Sequence, residues 1–177
     1  MNNKKSIKNY LDTKKVFFGV GILTGWFLCG TPTVAQAETS KVSILSLDIA
    51  EKMANGAMKK CREDGYKVSV VVVDREGVVI VEIRNDLAGP HTLSSSFRKA
   101  FTAASLGRST QDLVNLIKDK PDLVGMRNMD DRILILAGGL PIKFENELVG
   151  GLGVGGAPGG NLDEACAKAG LDSIGHE

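Results

Sequence analysis

The stretch that most constrains this chain is Glu147-Leu-Val-Gly-Gly-Leu-Gly-Val-Gly-Gly-Ala-Pro-Gly-Gly-Asn161. It reads as a strand, a glycine loop and the start of a closing helix. Leu148, Val149, Leu152 and Val154 supply strand character, while Gly155, Gly156, Gly159 and Gly160 permit positive φ or a very close backbone approach. Something must come close to this backbone. Asn161 is placed as an N-cap with Glu164 three residues on, as in a capping box. Leu162, Ala165, Cys166 and Ala169 form one apolar helical face, and Gly170 is a stop signal. Gly151, Gly153 and Gly156 also satisfy G-x-G-x-x-G before a helix. A dinucleotide fold needs a further strand after that helix and an acidic residue about 20 positions on, and the sequence through Glu177 supplies neither. The glycines are therefore expected to pack against a neighbouring subunit or a ligand.

The two ends of the 177-residue chain are unlike. Lys4, Lys5, Lys8, Lys14 and Lys15 precede an apolar run from Val16 to Gly30, and Ala35-Gln36-Ala37 follows as an A-x-A cleavage site. Residues 1–37 are read as a secretory signal peptide, 38–44 as a linker and 45–177 as one domain. The apolar run falls short of the roughly 20 residues that span a bilayer, so no membrane association is expected after cleavage. The location implied is periplasmic or secreted. With 22 basic against 21 acidic residues there is no electrostatic footprint for nucleic acid. Beyond the leader the aromatic residues are Tyr66, Phe97, Phe101 and Phe144, too few for a base-stacking platform. Cys61 and Cys166 each fall on the apolar face of a predicted helix. Export would allow a bridge, but they are read as two small buried hydrophobes.

In chain order, Leu47, Ala50, Met53, Ala54, Ala57, Met58 and Cys61 recur at helical spacing, ending by Gly65. Val68–Val73 is a β-branched strand with burial expected on both faces, Asp74–Gly77 a turn, and Val78–Arg84 a returning strand. Asn85–Pro90 is a loop. Leu93, Phe97, Ala100, Phe101 and Ala104 mark a second helix stopped by Gly107, and a third runs from Ser109 or Thr110 through Lys118. Pro121 breaks it, and Asp122–Asp131 has no period and is read as a loop. Ile133–Ala137 is predicted as a third strand, Pro141–Phe144 as a fourth, and the glycine-rich strand as the fifth. Hairpins with helices between them and at both ends argue an α+β arrangement with a five-stranded antiparallel sheet.

Four motifs carry a resemblance: Val70-Val-Val-Val-Asp74 with Gly77, Arg98-Lys-Ala-Phe-Thr-Ala-Ala104, Ala137-Gly-Gly-Leu-Pro-Ile142, and Val149 through Glu164. Together, over about Leu45 to Ile174, they resemble the GlcG/HbpS-like family of haem-degrading or haem-binding domains, related to the C-terminal domain of PduO. The resemblance implies a profilin-like three-layer α/β/α fold, assembly into homo-oligomers and, for some exported members, haem binding with slow iron release. An exported relative has an E-x-x-E pair implicated in iron binding before its Arg-Lys-Ala motif. The matching positions here are Ser94 and Phe97, although Lys99 remains.

Haem needs an apolar slot, an axial donor and cations for its propionates. His91, in Gly89-Pro-His-Thr-Leu93, is the candidate axial and metal ligand, against the plainer reading of a surface or capping histidine. Arg98, Lys99 and Arg127 are candidates for ligand carboxylates, against solvated helix and loop faces. Met126 and Met129 offer thioether sulfur, and Gly155 and Gly156 a backbone surface a ligand could approach. Ser94, Ser95 and Ser96 pair with no assured base, so hydrolase chemistry is set aside. Asp48 and Glu51 read as a solvated helix edge. Two functions follow. One is an exported haem or tetrapyrrole binder, with weak degradation or iron release open. The other is a non-catalytic oligomeric module for a small organic acid or corrinoid.

Overall fold

A computed structural model describes residues 42–175. The predicted leader 1–37, the linker before Val42 and His176 lie outside them. Nine elements follow in order: α1 (Leu47–Glu63), β1 (Ser69–Asp74), β2 (Val79–Arg84), α2 (His91–Leu106), α3 (Thr110–Asp119), a 3-10 helix η1 (Pro121–Asn128), β3 (Gly139–Phe144), β4 (Glu147–Gly155) and α4 (Gly160–Asp172). The strands form one antiparallel sheet in the order β2-β1-β4-β3.

β1 is buried on both sides because its side chains alternate between two cores. Val70 and Val72 join Met53, Ala57, Met58 and Cys61 of α1 with Leu152, Val154 and Cys166. Val71 and Val73 face Ala100 and Ala104 of α2. Helices α1 and α4 thus cover one face and α2 the other, giving three layers. A third cluster of Phe101, Leu113, Ile117, Ile133 and Ile135 packs α3 and the run before β3 onto the outside of α2.

Turn chemistry follows the sequence closely. Gly77 takes φ 81° between β1 and β2, with Asp74 Oδ1 accepting from Val78 N at 2.8 Å. Glu145 and Asn146 both take positive φ, as a two-residue hairpin turn requires. Gly107 caps α2 in the left-handed region, and Ser109 caps α3 by accepting from Asp112 N at 3.0 Å.

Four expectations are corrected. The sheet has four strands, not five, because Ile133–Ala137 joins no ladder. Side chains satisfy its backbone instead: Arg98 Nη2 donates to Ile133 O at 2.7 Å, and Leu134 N donates to Thr102 Oγ1 at 2.8 Å. Its alternating Ile133, Ile135 and Ala137 are buried beneath helices, which produces the same period as a strand. The supposed loop after Pro121 contains η1, where proline at the start of a tight helix suits its fixed φ. Asn161 is not the cap of α4. Gly159 is, and Asp163 inside the first turn accepts from Ala157 N at 2.9 Å. Finally, Cys61 and Cys166 are bridged, with Cα atoms 5.5 Å apart, joining α1 to α4 across 105 residues.

The glycines of β4 find their partner within the same chain. A Cβ on Gly151 or Gly153 would collide with the α2 carbonyl oxygens of Ala100 and Ser96, and one on Gly155 would meet Ser95 Oγ at 2.5 Å. The stripe of glycines lets α2 lie directly on the strand backbone. Val149, Leu152 and Val154 meanwhile fill the core under α1 and α4.

Candidate functional site

The first turn of α2 sits where β1 begins and β4 ends. Its cap position is Pro90, which offers no side-chain acceptor, so the turn is anchored another way. Thr92 Oγ1 donates to Gly89 O at 2.6 Å and lies 2.7 Å from Ser69 Oγ. A hydroxyl has one proton, so Ser69 must donate to Thr92. Thr92 Cγ2 also lies 3.2 Å from the Cβ position of Gly156, whose φ of 131° suits glycine. The structure therefore gathers His91, Gly155 and Gly156 at one end of α2. His91 is exposed, its Nδ1 2.9 Å from the Cβ position of Gly89. A larger residue than glycine there would displace the imidazole.

Seven residues on, two turns down the same stripe of the helix, is Arg98. Its Nη2 holds Ile133 O, and its Nε is buried without a partner among the described residues. Arg127, exposed at the end of η1, reaches Ile135 O at 3.4 Å. Arg98 and Arg127 thus grip the same run two residues apart. Met129 is 58% exposed beyond η1, and Met126 packs on the cluster beneath. Arg132 stacks on Phe101 at 4.1 Å and pairs with Asp130, whose carboxyl the Arg132 contact lowers to about 2.

Lys99 points the other way. It is 1% exposed, with Nζ 2.6 Å from Asp163 Oδ2 and 2.9 Å from Val154 O. Burial lowers the Lys99 ammonium and raises the Asp163 carboxyl, and each opposes the other's shift through their contact. The pair ties α2 to α4 beneath Gly138, and its ammonium is turned into the fold, where it donates to Asp163 and Val154. Sequence reasoning missed Asp163, although its spacing from the glycine loop was a usable signal. Beside it Glu164 keeps Oε2 buried and unpartnered among the described residues, and burial raises its carboxyl.

A cleft of about 920 Å³ lies along the opposite face of the sheet, between β3, α4 and the start of α1. Leu140, Pro141, Ile142, Phe144, Leu171 and Ile174 give it apolar walls, with Lys52, Lys143 and Lys168 around them. Among the described residues no histidine, cysteine or methionine lines it. Asp48 and Glu51 are exposed beside a separate shallow depression of about 570 Å³. Among the described residues no group of three or more His, Cys, Asp or Glu side chains converges on a metal position, and no helix is long and apolar enough to cross a membrane.

Comparison with known proteins bears on the family and the fold. Residues 45–172 match the family described as haem-degrading protein HbpS-like. Among solved structures, a double mutant of Streptomyces reticuli HbpS is 39% identical, with a TM-score of 0.74, covering 82% of this chain and 98% of that one. Klebsiella pneumoniae protein ORFY is 30% identical, with a TM-score of 0.74, covering 80% and 99%. A complex of PduOC with haem is 23% identical, with a TM-score of 0.69, covering 75% and 96%, a likeness of fold.

Proposed function

The chain belongs to the family of haem-degrading HbpS-like proteins, and from that premise we propose that it is an exported haem-binding protein that works as a homo-oligomer, with His91 as the axial donor. The observation that carries the reading is the exposed imidazole of His91, set at the start of a helix whose seat on β4 is rigid. Nitrogen donors of this kind are what haem iron takes. Arg127 and the half-buried Arg98, which also holds Ile133 O, supply cations for propionates, whereas Lys99 stays with Asp163. Bound haem would supply redox-active iron, and the chain's part is to bind and orient it. The buried Cys61–Cys166 bridge supports export, since such bonds persist in oxidising compartments.

The test is an absorbance titration with haemin of the wild type and His91→Ala. A saturable Soret shift near one haem per chain, lost in the variant, supports the reading. A shift no larger than that of a control protein ends it. Loss of the Soret band with iron release on adding hydrogen peroxide would mark degradation, and a persistent band would mark binding alone.

The cleft beside β3 favours a second reading. Apolar walls with three lysines against Glu145 and Asp172, and no axial donor among the described residues, suit a small organic acid or a corrinoid, held without chemistry.

A further inference from the structure

The sheet has two edges, and they are guarded differently. β3 carries Pro141 in its middle and a bulge between Ile142 and Lys143, both of which hinder a further strand. β2 has no proline. Its irregularity lies at Ile80, which the register skips as Val72 pairs with Val81 and Val73 with Val79. Val81–Arg84 is regular. Asn85 N donates to Val68 O at 2.9 Å, and Ile83 and Val81 continue that phase opposite Val70 and Val72. In an antiparallel ladder alternate residues bond to one neighbour. The N–H and C=O of Glu82 and Arg84 therefore point out of the sheet.

We propose that β2 is the docking edge for a second copy of this chain, joined antiparallel about a two-fold axis at Ile83. Charge selects this register. A two-fold at Ile83 puts Glu82 opposite Arg84 of the second copy, twice by symmetry. Moving the axis to Glu82 sets Glu82 against itself, and moving it to Arg84 sets Arg84 against itself, both unfavourable across strands. An axis on any of these three residues lets the outward backbone groups meet each other, so the choice among them rests on charge. Glu82 and Arg84 are both exposed, and Arg84 uses Nη1 on Ala88 O while its other nitrogens have no partner among the described residues. The half-buried Ile83 side chains meet at the axis. Leu87, 77% exposed past one end of β2, is carried toward Val79, 42% exposed at the other end in the second copy. Four backbone hydrogen bonds would make one eight-stranded sheet from two four-stranded ones.

The test is a cross-link. Ile83 faces itself as a non-hydrogen-bonded pair, with Cα atoms about 4.5 Å apart, within reach of a disulfide. Ile83→Cys in a Cys29→Ser background should give a covalent dimer under mild oxidation, read on a non-reducing gel. Adding Glu82→Arg should cut its yield roughly tenfold by opposing like charges, and adding Arg84→Glu as well should restore it. Circular dichroism confirms that each variant is folded. No covalent dimer from the Ile83→Cys chain overturns the proposal, and so does a yield indifferent to Glu82→Arg. Because the Ile83→Cys arm stands without the charge variants, a misfolded charge variant leaves the decision intact.

Discussion

The two faces of this sheet are built by opposite means from one strand. On the α1 and α4 side, β4 contributes side chains, and the helices are fastened by a bridge between Cys61 and Cys166. On the α2 side, β4 contributes glycines, and the helix backbone itself is the packing partner. The first face is an ordinary apolar core, tolerant of shape if volume is kept. The second depends on atoms that cannot move aside, with a buried ion pair from Lys99 to Asp163 at its border. Close backbone contact fixes α2, and with it the position of His91. The candidate site thus stands on the rigid, glycine-seated face, while the roomier cleft lies on the face built from side chains.

Breaking the fastening of the first face should cost most. Cys61→Ala with Cys166→Ala opens a loop spanning 105 residues, and urea denaturation should show a loss of about 4 kcal/mol. Lys99→Met comes next. It leaves Asp163 buried and unpaired, and should cost about 3 kcal/mol, with much of that recovered when Asp163→Leu is added. Gly153→Ala drives a methyl into the backbone of α2, and should cost about 2 kcal/mol or more in the same assay. Gly125→Ala, where a Cβ meets nothing within 4 Å, should change stability by less than about 0.5 kcal/mol. Equal effects at Gly153 and Gly125 would erase the distinction between the faces.

The smallest effect concerns pH. Burial raises the Glu164 carboxyl, so its folded form favours the proton more than the unfolded chain does. Its stabilising share is complete below the usual carboxylate range and is lost as pH rises through the raised value. Glu164→Gln removes this dependence. Thermal melts should place the variant about 2 °C above the wild type at neutral pH, with the gap closing below pH 4.5, the ordinary glutamate value.

Helices α1, α2 and α3, the first hairpin and the β3–β4 turn were legible because local rules agreed with the final contacts. The Ile133–Ala137 run was not, because an alternating pattern reports burial on one side and is silent on whether backbone partners are strands or side chains such as Thr102 and Arg98. The bridge was missed because two cysteines on apolar faces look alike whether bonded or merely packed. Glycines in β4 signalled a close approach correctly, yet nothing local names the partner, which turned out to be α2 of the same chain. Of the candidate ligands, His91, Arg98 and Arg127 share the outer side of the α2 layer. The inward turn of Lys99 depends on Asp163, 64 residues away, beyond the reach of any local pattern.

The most direct test of where haem binds is an amide NMR spectrum of the isotope-labelled protein with increasing ferric haem. The paramagnetic iron broadens signals close to it. Loss of the Thr92, Ser94, Ser95 and Gly156 amides first, with Ile142, Lys143, Phe144 and Leu171 unchanged, is the result predicted for a site at His91. Broadening that begins along β3 and the end of α4 would contradict it and place the ligand in the lysine-lined cleft.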